Sequence, residues 1–198
     1  MEWKRFFNIF KEFSWIGIGQ IITIIGALFG VRLLTSLLSP EQYGELALGM
    51  TVGTFIYTIF LGPISNGISR YYSLANRKND TLNYLKAIQK IIFLISLLIF
   101  ILFIIVLFIL ISIGYSKWVW FFIASIIFGL FSSFSNIFIS IQNVLRNRSL
   151  VALYNLLSTW FRFILAAIFI KAFGVTSTSA MFGQALSMIF ILTLQLYF

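Results

Sequence analysis

The stretch from Ile91 to Ile113 contains no charged residue and no proline, and its only hydroxyl side chains are Ser96 and Ser112. As a helix rising 1.5 Å per residue it spans about 34 Å, the thickness of a bilayer's hydrocarbon core. Comparable runs occur at 13–38, 46–69, 118–141, 150–173 and 178–198, so the chain reads as an all-α, polytopic membrane protein with six transmembrane helices. A transmembrane barrel needs short segments of alternating polarity, whereas the polar residues within these runs recur at helical spacing. The 61% apolar and 10% charged composition excludes a water-soluble core.

Ahead of the first span, residues 1–12 predict a separate interfacial helix: Trp3, Phe6, Phe7 and Phe10 share one face, with Phe13 continuing it, and Glu2, Lys4, Arg5, Lys11 and Glu12 occupy the other. The apolar run that follows is too long for the core of a secretory signal, so the first span is expected to remain in the mature protein. Ten of the 14 basic residues (Lys4, Arg5, Lys11, Arg70, Arg77, Lys78, Lys86, Lys90, Arg146 and Arg148) fall on one side of the six-span arrangement. The opposite side has Lys117 and Lys171, and an outer connection made acidic by Glu41 and Glu45. By the positive-inside rule both chain ends are expected in the cytoplasm. The net charge of +9 fits anionic headgroups and insertion topology, because the cations sit in short loops at one membrane face; nucleic acid is not an expected partner.

Cysteine and histidine are absent, which removes thiol and imidazole chemistry from this chain. No zinc-protease, phosphate-loop or nucleophile-elbow motif occurs, and the five carboxylates are dispersed, so neither an enzyme nor a metal or cofactor site is expected.

Helices in lipid gain nothing by hiding leucine from leucine, so small and polar residues mark the surfaces that meet protein or water. In the fourth span Ser125, Gly129, Ser132, Ser133, Asn136, Ser140 and Asn143 form such a stripe, and the fifth has Asn155, Ser158, Thr159 and Arg162. The first carries Gly19, Gln20, Thr23, Gly26, Ala27 and Gly30; the second is dense in Gly49, Gly53, Thr54, Thr58, Gly62 and Ser65. The third has almost none and is expected to face lipid, with spans one, two, four and five around a polar interior. The glycines read as packing seams; the Ser and Asn stripes fit either seams or a wet cavity. Gly62-Pro63 predicts a kink in the second span.

Arg162 stands near the middle of the fifth span, where a guanidinium facing lipid costs at least a few kcal/mol. With no carboxylate inside any predicted span, its partner is water, another polypeptide segment or an anionic substrate; the guanidinium fork suits phosphate. Asn155 and Asn136, on the polar stripes, are candidate substrate-binding residues. Arg32 lies close enough to the outer surface to snorkel, and Arg70 ends the second span as an interfacial anchor or a basic entrance.

Two stretches carry a family resemblance. Gly30-Val-Arg-Leu-Leu-Thr-Ser-Leu-Leu-Ser-Pro-Glu-Gln-Tyr-Gly44 resembles the end of the first helix in polysaccharide-biosynthesis flippases, and Gly62-Pro-Ile-Ser-Asn-Gly-Ile-Ser-Arg-Tyr-Tyr72 resembles the glycine-rich end of their second. These proteins belong to the multidrug, oligosaccharidyl-lipid and polysaccharide exporter superfamily. The resemblance implies one six-helix lobe, over residues 13–198, of a MATE-like transporter whose two lobes surround an alternately opening cavity. It further implies residence in the bacterial cytoplasmic membrane and a cargo of undecaprenyl-pyrophosphate-linked oligosaccharide, flipped to the outer leaflet for O-antigen, lipopolysaccharide or capsule assembly. Arg32 and Arg70 match arginines of the family pattern; Arg162 is nominated by its depth and its place on the polar stripe of the fifth span. The second lobe is apparently missing from this chain, whose last span ends without a polar flank, so that lobe is the expected partner beside lipid. A drug or cation exporter of the same superfamily, and a membrane subunit that does not transport, stand as alternatives; the former is expected to carry an intramembrane acidic residue.

Overall fold

The computed structural model describes the backbone of residues 2–197 and the side chains of 17–115 and 118–197. It is all-helical over the described residues. The elements are α1 (Glu2–Leu37), α2 (Pro40–Ile56), a π-helical turn (Tyr57–Leu61), α3 (Gly62–Arg77), α4 (Thr81–Ser112), α5 (Ser116–Val144), α6 (Arg148–Phe173) and α7 (Ser177–Tyr197). Six helices are long and apolar enough to cross a membrane: Gly17–Leu37, Pro40–Arg77, Thr81–Ser112, Trp118–Val144, Arg148–Phe173 and Ser177–Tyr197. The backbone of α1 continues without interruption through the segment expected as an interfacial helix. The amphipathic face assigned to residues 1–12 lies outside the described side chains.

The second helix starts earlier than its apolar run. Ser39 accepts from the Gln42 N–H at 3.3 Å while Gln42 Oε1 accepts from the Ser39 N–H at 3.4 Å, a reciprocal cap, and Pro40 takes the first helical position, where no N–H is needed. Glu41 and Glu45, expected in a connection, therefore lie in the first two turns of α2. The polar stretch between spans two and three is also mostly helix. It reverses at Lys78–Asp80, where Asn79 adopts φ 54° and the Asp80 and Asn79 N–H groups return to Ala75 and Asn76 carbonyls. Gly114 at φ 86° ends α4, and Arg146 at φ 62° ends α5, by the same pair of bonds.

The expected kink takes a specific form. Pro63 has no N–H and would press its ring on the Ile59 carbonyl of a regular helix. The π turn widens the helix just ahead of it, and the Gly62 N–H reaches back to the Tyr57 carbonyl, leaving Pro63 in the tolerant first turn of α3.

Packing follows the small residues. A Cβ on Gly26 would lie 2.7 Å from the Trp160 indole nitrogen, and one on Gly30 would penetrate the Phe163 ring, so the glycine face of α1 is the seam with α6. Gly53 of α2 and Gly129 of α5 bring two backbones together, a Cβ on Gly129 falling 2.8 Å from the Gly53 Cα. The third span, α4, is the most lipid-facing, only 6% of its most apolar window being buried. One expectation fails: the centre of the bundle is α7, the sixth span, 56% buried over the same measure. Ser177, Ser179, Ala180, Gly183, Ala185 and Ser187 are all buried on it. Their small volume lets α5 and α6 close around one helix, where spans one, two, four and five were expected to enclose a polar interior. Two apolar cores result, one joining α1, α2, α5, α6 and α7 around Leu34, Leu46, Phe128 and Met181, the other joining the end of α2, the π turn, α3, α4 and α5 around Leu61, Ile68, Ile99 and Ile137.

Candidate functional site

Most hydroxyls on the polar faces are used by their own helices. Ser125 and Ser133 donate to the carbonyls of Phe121 and Gly129, and Thr23, Thr51 and Thr54 donate four residues back in the same way. Ser140 pairs with Ser65 of α3, about three turns along α5 from the Gly53–Gly129 crossing. Along most of its length the α5 stripe is thus a seam against α2 and α3, and half-buried Asn136 sits on it.

The polar face of α6 is different. Asn155, Thr159, Arg162 and Ala166 follow steps of four, three and four along one side of α6, where Ala166 packs against Gly183 of α7. Ser158 and Thr159 both donate to the Asn155 carbonyl at 2.9 Å, leaving the Asn155 amide and the Arg162 guanidinium as the face's uncommitted polar groups. Arg162 lies about 21 Å along the axis from Arg148, well inside the span. It is half-buried; its guanidinium carbon stands 4.8 Å from the centre of the Phe163 ring, and its Nε is buried without a hydrogen-bond partner. Among the described residues no ion pair forms: Glu45 accepts from Ser177 Oγ, and Asp80 from Asn83 Nδ2 at 2.6 Å.

The other two candidate arginines are not gathered beside it. Gly19 meets Ala152, Gly26 meets Trp160 and Gly30 meets Phe163, so α1 runs parallel to α6 and Arg32 lies about one turn beyond the level of Arg162, toward the α1–α2 connection; two residues past Gly30 is also 200° round the helix, and Arg32 is exposed on the far side of α1. Arg70 is exposed on α3, its guanidinium 5.5 Å from the Tyr71 ring. The stretch that ends α1 and starts α2 has a mechanical role as well: beyond the capping box, Gln42 Nε2 donates to the Val175 carbonyl at 2.7 Å, tying α2 to the α6–α7 connection.

Two polar residues of α7 escaped the sequence reading. Gln184 is fully buried and Gln195 is 6% exposed, and neither amide has a partner for its oxygen or its nitrogen. Each unmet amide group is costly away from water. The signal was present, since a glutamine inside an apolar span is as anomalous as an arginine.

No family model, no curated protein and no solved structure matches this chain.

Proposed function

We propose that the chain forms one lobe of a MATE-like flippase that carries a pyrophosphate-linked, polyprenyl-anchored oligosaccharide across the bacterial cytoplasmic membrane during surface-polysaccharide assembly. The observation that carries this reading is Arg162: a cation deep within a membrane-crossing helix, paired with no carboxylate among the described residues, with a buried N–H left open. A pyrophosphate supplies the missing acceptors and the countercharge together, and the guanidinium fork matches its oxygens. Asn155, two turns away on the same face, is available to sugar hydroxyls, with Asn136 as a more distant candidate. Arg70 serves as a basic entrance on the cytoplasmic side, and Arg32 as a contact near the outer surface. Rocking against a second lobe then re-exposes the headgroup on the other side. Among the described residues no unengaged acidic side chain pairs with Arg162, which favours an anionic cargo over a cationic drug.

The test is complementation. Deletion of the gene should abolish surface polysaccharide, and the full-length gene should restore it. Arg162→Ala and Arg162→Gln, at matched membrane abundance, should fail to restore it, while Arg162→Lys should restore it weakly because charge survives without the fork. Full restoration by Arg162→Gln, or normal polysaccharide with drug hypersensitivity on deletion, refutes the proposal.

A further inference from the structure

A groove of about 310 Å³ runs between α4, α5 and the end of α7. Its floor is Ile88, Ile137 and Leu192, all buried, and its walls are half-buried Leu85, Ile92 and Ile141. Leu85 and Ile141 are the lining residues nearest the ends of their helices, so the groove runs toward the end of the bundle that carries the Lys78–Asp80 and Leu145–Asn147 connections.

That end is strongly cationic. Arg77 and Lys78 precede α4, Lys86 stands one residue from Leu85 on the groove's flank, and Arg146 and Arg148 follow α5; all five are exposed. The one carboxylate in these segments, Asp80, already accepts from Asn83, and no ion pair neutralises the cations among the described residues. Below them the lining has one side chain that is not apolar, Gln89, about 5 Å deeper than Lys86 along the α4 axis. The order from the membrane surface inward is therefore unpaired cations, one amide, then an apolar channel. An anionic phospholipid has the same order: phosphate, glycerol esters, acyl chain.

We propose that this groove is a binding site for an anionic phospholipid of the surrounding leaflet, one acyl chain lying between α4 and α5 and the phosphate held by Lys86 and Arg146. Basic pockets between transmembrane helices select such headgroups by charge, each lysine or arginine adding attraction at the surface. The apolar channel supplies retention without selectivity, since any acyl chain fits it equally. Selectivity belongs to the rim. The site is distinct from Arg162 on α6 and does not depend on what the protein transports.

The test uses the full-length protein, delipidated in an uncharged detergent and offered phosphatidylglycerol or phosphatidylcholine with identical acyl chains, with bound lipid counted by native mass spectrometry. The native protein should retain phosphatidylglycerol over phosphatidylcholine by about tenfold or more, from two rim cations acting together. The double variant Lys86→Gln with Arg146→Gln should lose that preference while still holding some of either lipid. Gln89→Trp, which fills the channel from an exposed wall position, should lower retention of both. Lys171→Gln, at the opposite end of the bundle, should change neither. Equal retention of the two lipids by the native protein overturns the proposal, as does an undiminished preference in the double variant or undiminished retention by Gln89→Trp. None of these readouts involves polysaccharide export, so their failure leaves the flippase reading to its own test.

Discussion

Gly183 sets how closely α7 approaches α6, and replacing it with alanine should separate them. A Cβ there would stand 2.5 Å from the Leu165 carbonyl oxygen, 2.6 Å from the Ala166 Cα and 2.8 Å from its nitrogen. All three are backbone atoms, so no side-chain rotation relieves the clash. Reaching ordinary contact at about 3.4 Å requires roughly 0.9 Å of movement between two helices at the centre of the bundle. Overpacking of this kind costs about 1–3 kcal/mol, which for a chain of this size corresponds to a Tm lowered by about 2–12 °C. Gly44→Ala is the matched control, with nothing within 4 Å of its Cβ; the gain in helix propensity should leave its Tm unchanged or slightly raised. The assay is thermal unfolding of detergent-purified protein, followed by the fraction that remains monodisperse on size exclusion. Gly183→Ala melting with the native protein would refute close backbone contact as the basis of α7's central position.

Gln184→Met keeps the side chain's length and removes one amide whose oxygen and nitrogen are both unmet, each costing about 1–3 kcal/mol when left unpaired in an interior; the same assay should show a raised Tm, and a lowered one would mean that the amide has a partner such as bound water. Arg146 holds φ 62° at the end of α5, a conformation that glycine adopts without penalty, so Arg146→Gly should stabilise the fold by about 1 kcal/mol. A loss of stability would show that the arginine side chain contributes more than its backbone costs.

The sequence separates legible from illegible features by the kind of signal each requires. The lipid-facing position of α4 was legible because Ile91–Ile113 offers nothing for another helix to grip. The kink was legible from Pro63, though its π-helical form was not, because proline forbids the regular helix without dictating which irregular one replaces it. The start of α2 was misjudged by hydropathy: Ser39-Pro40-Glu41-Gln42 is a complete helix-start signature, and polar residues in a first turn lower hydropathy without breaking a helix. The same applies to Lys78–Asp80, where a reversal needs only Asn79 in the left-handed region. The centrality of α7 was written in Ser179, Ala180, Gly183 and Ser187, but small residues announce close packing without naming the partner. At the site, Arg162 was legible from its depth and from the Asn155, Ser158 and Thr159 stripe it continues. Its separation from Arg32 was not, since that depends on Gly30 meeting Phe163 and turning Arg32 outward, a tertiary contact that spacing along one helix does not encode.

The central claim is that the Arg162 position faces water inside the bundle and not acyl chains. Because the chain has no cysteine, Arg162→Cys introduces a single thiol, and only a wetted thiol ionises and reacts with a membrane-impermeant, anionic methanethiosulfonate. In intact membranes Arg162→Cys should react readily, while Ile164→Cys and Ile168→Cys, exposed on the outer surface of the same helix, should stay unmodified. An unreactive thiol at 162, or equal labelling at all three positions, would contradict the account.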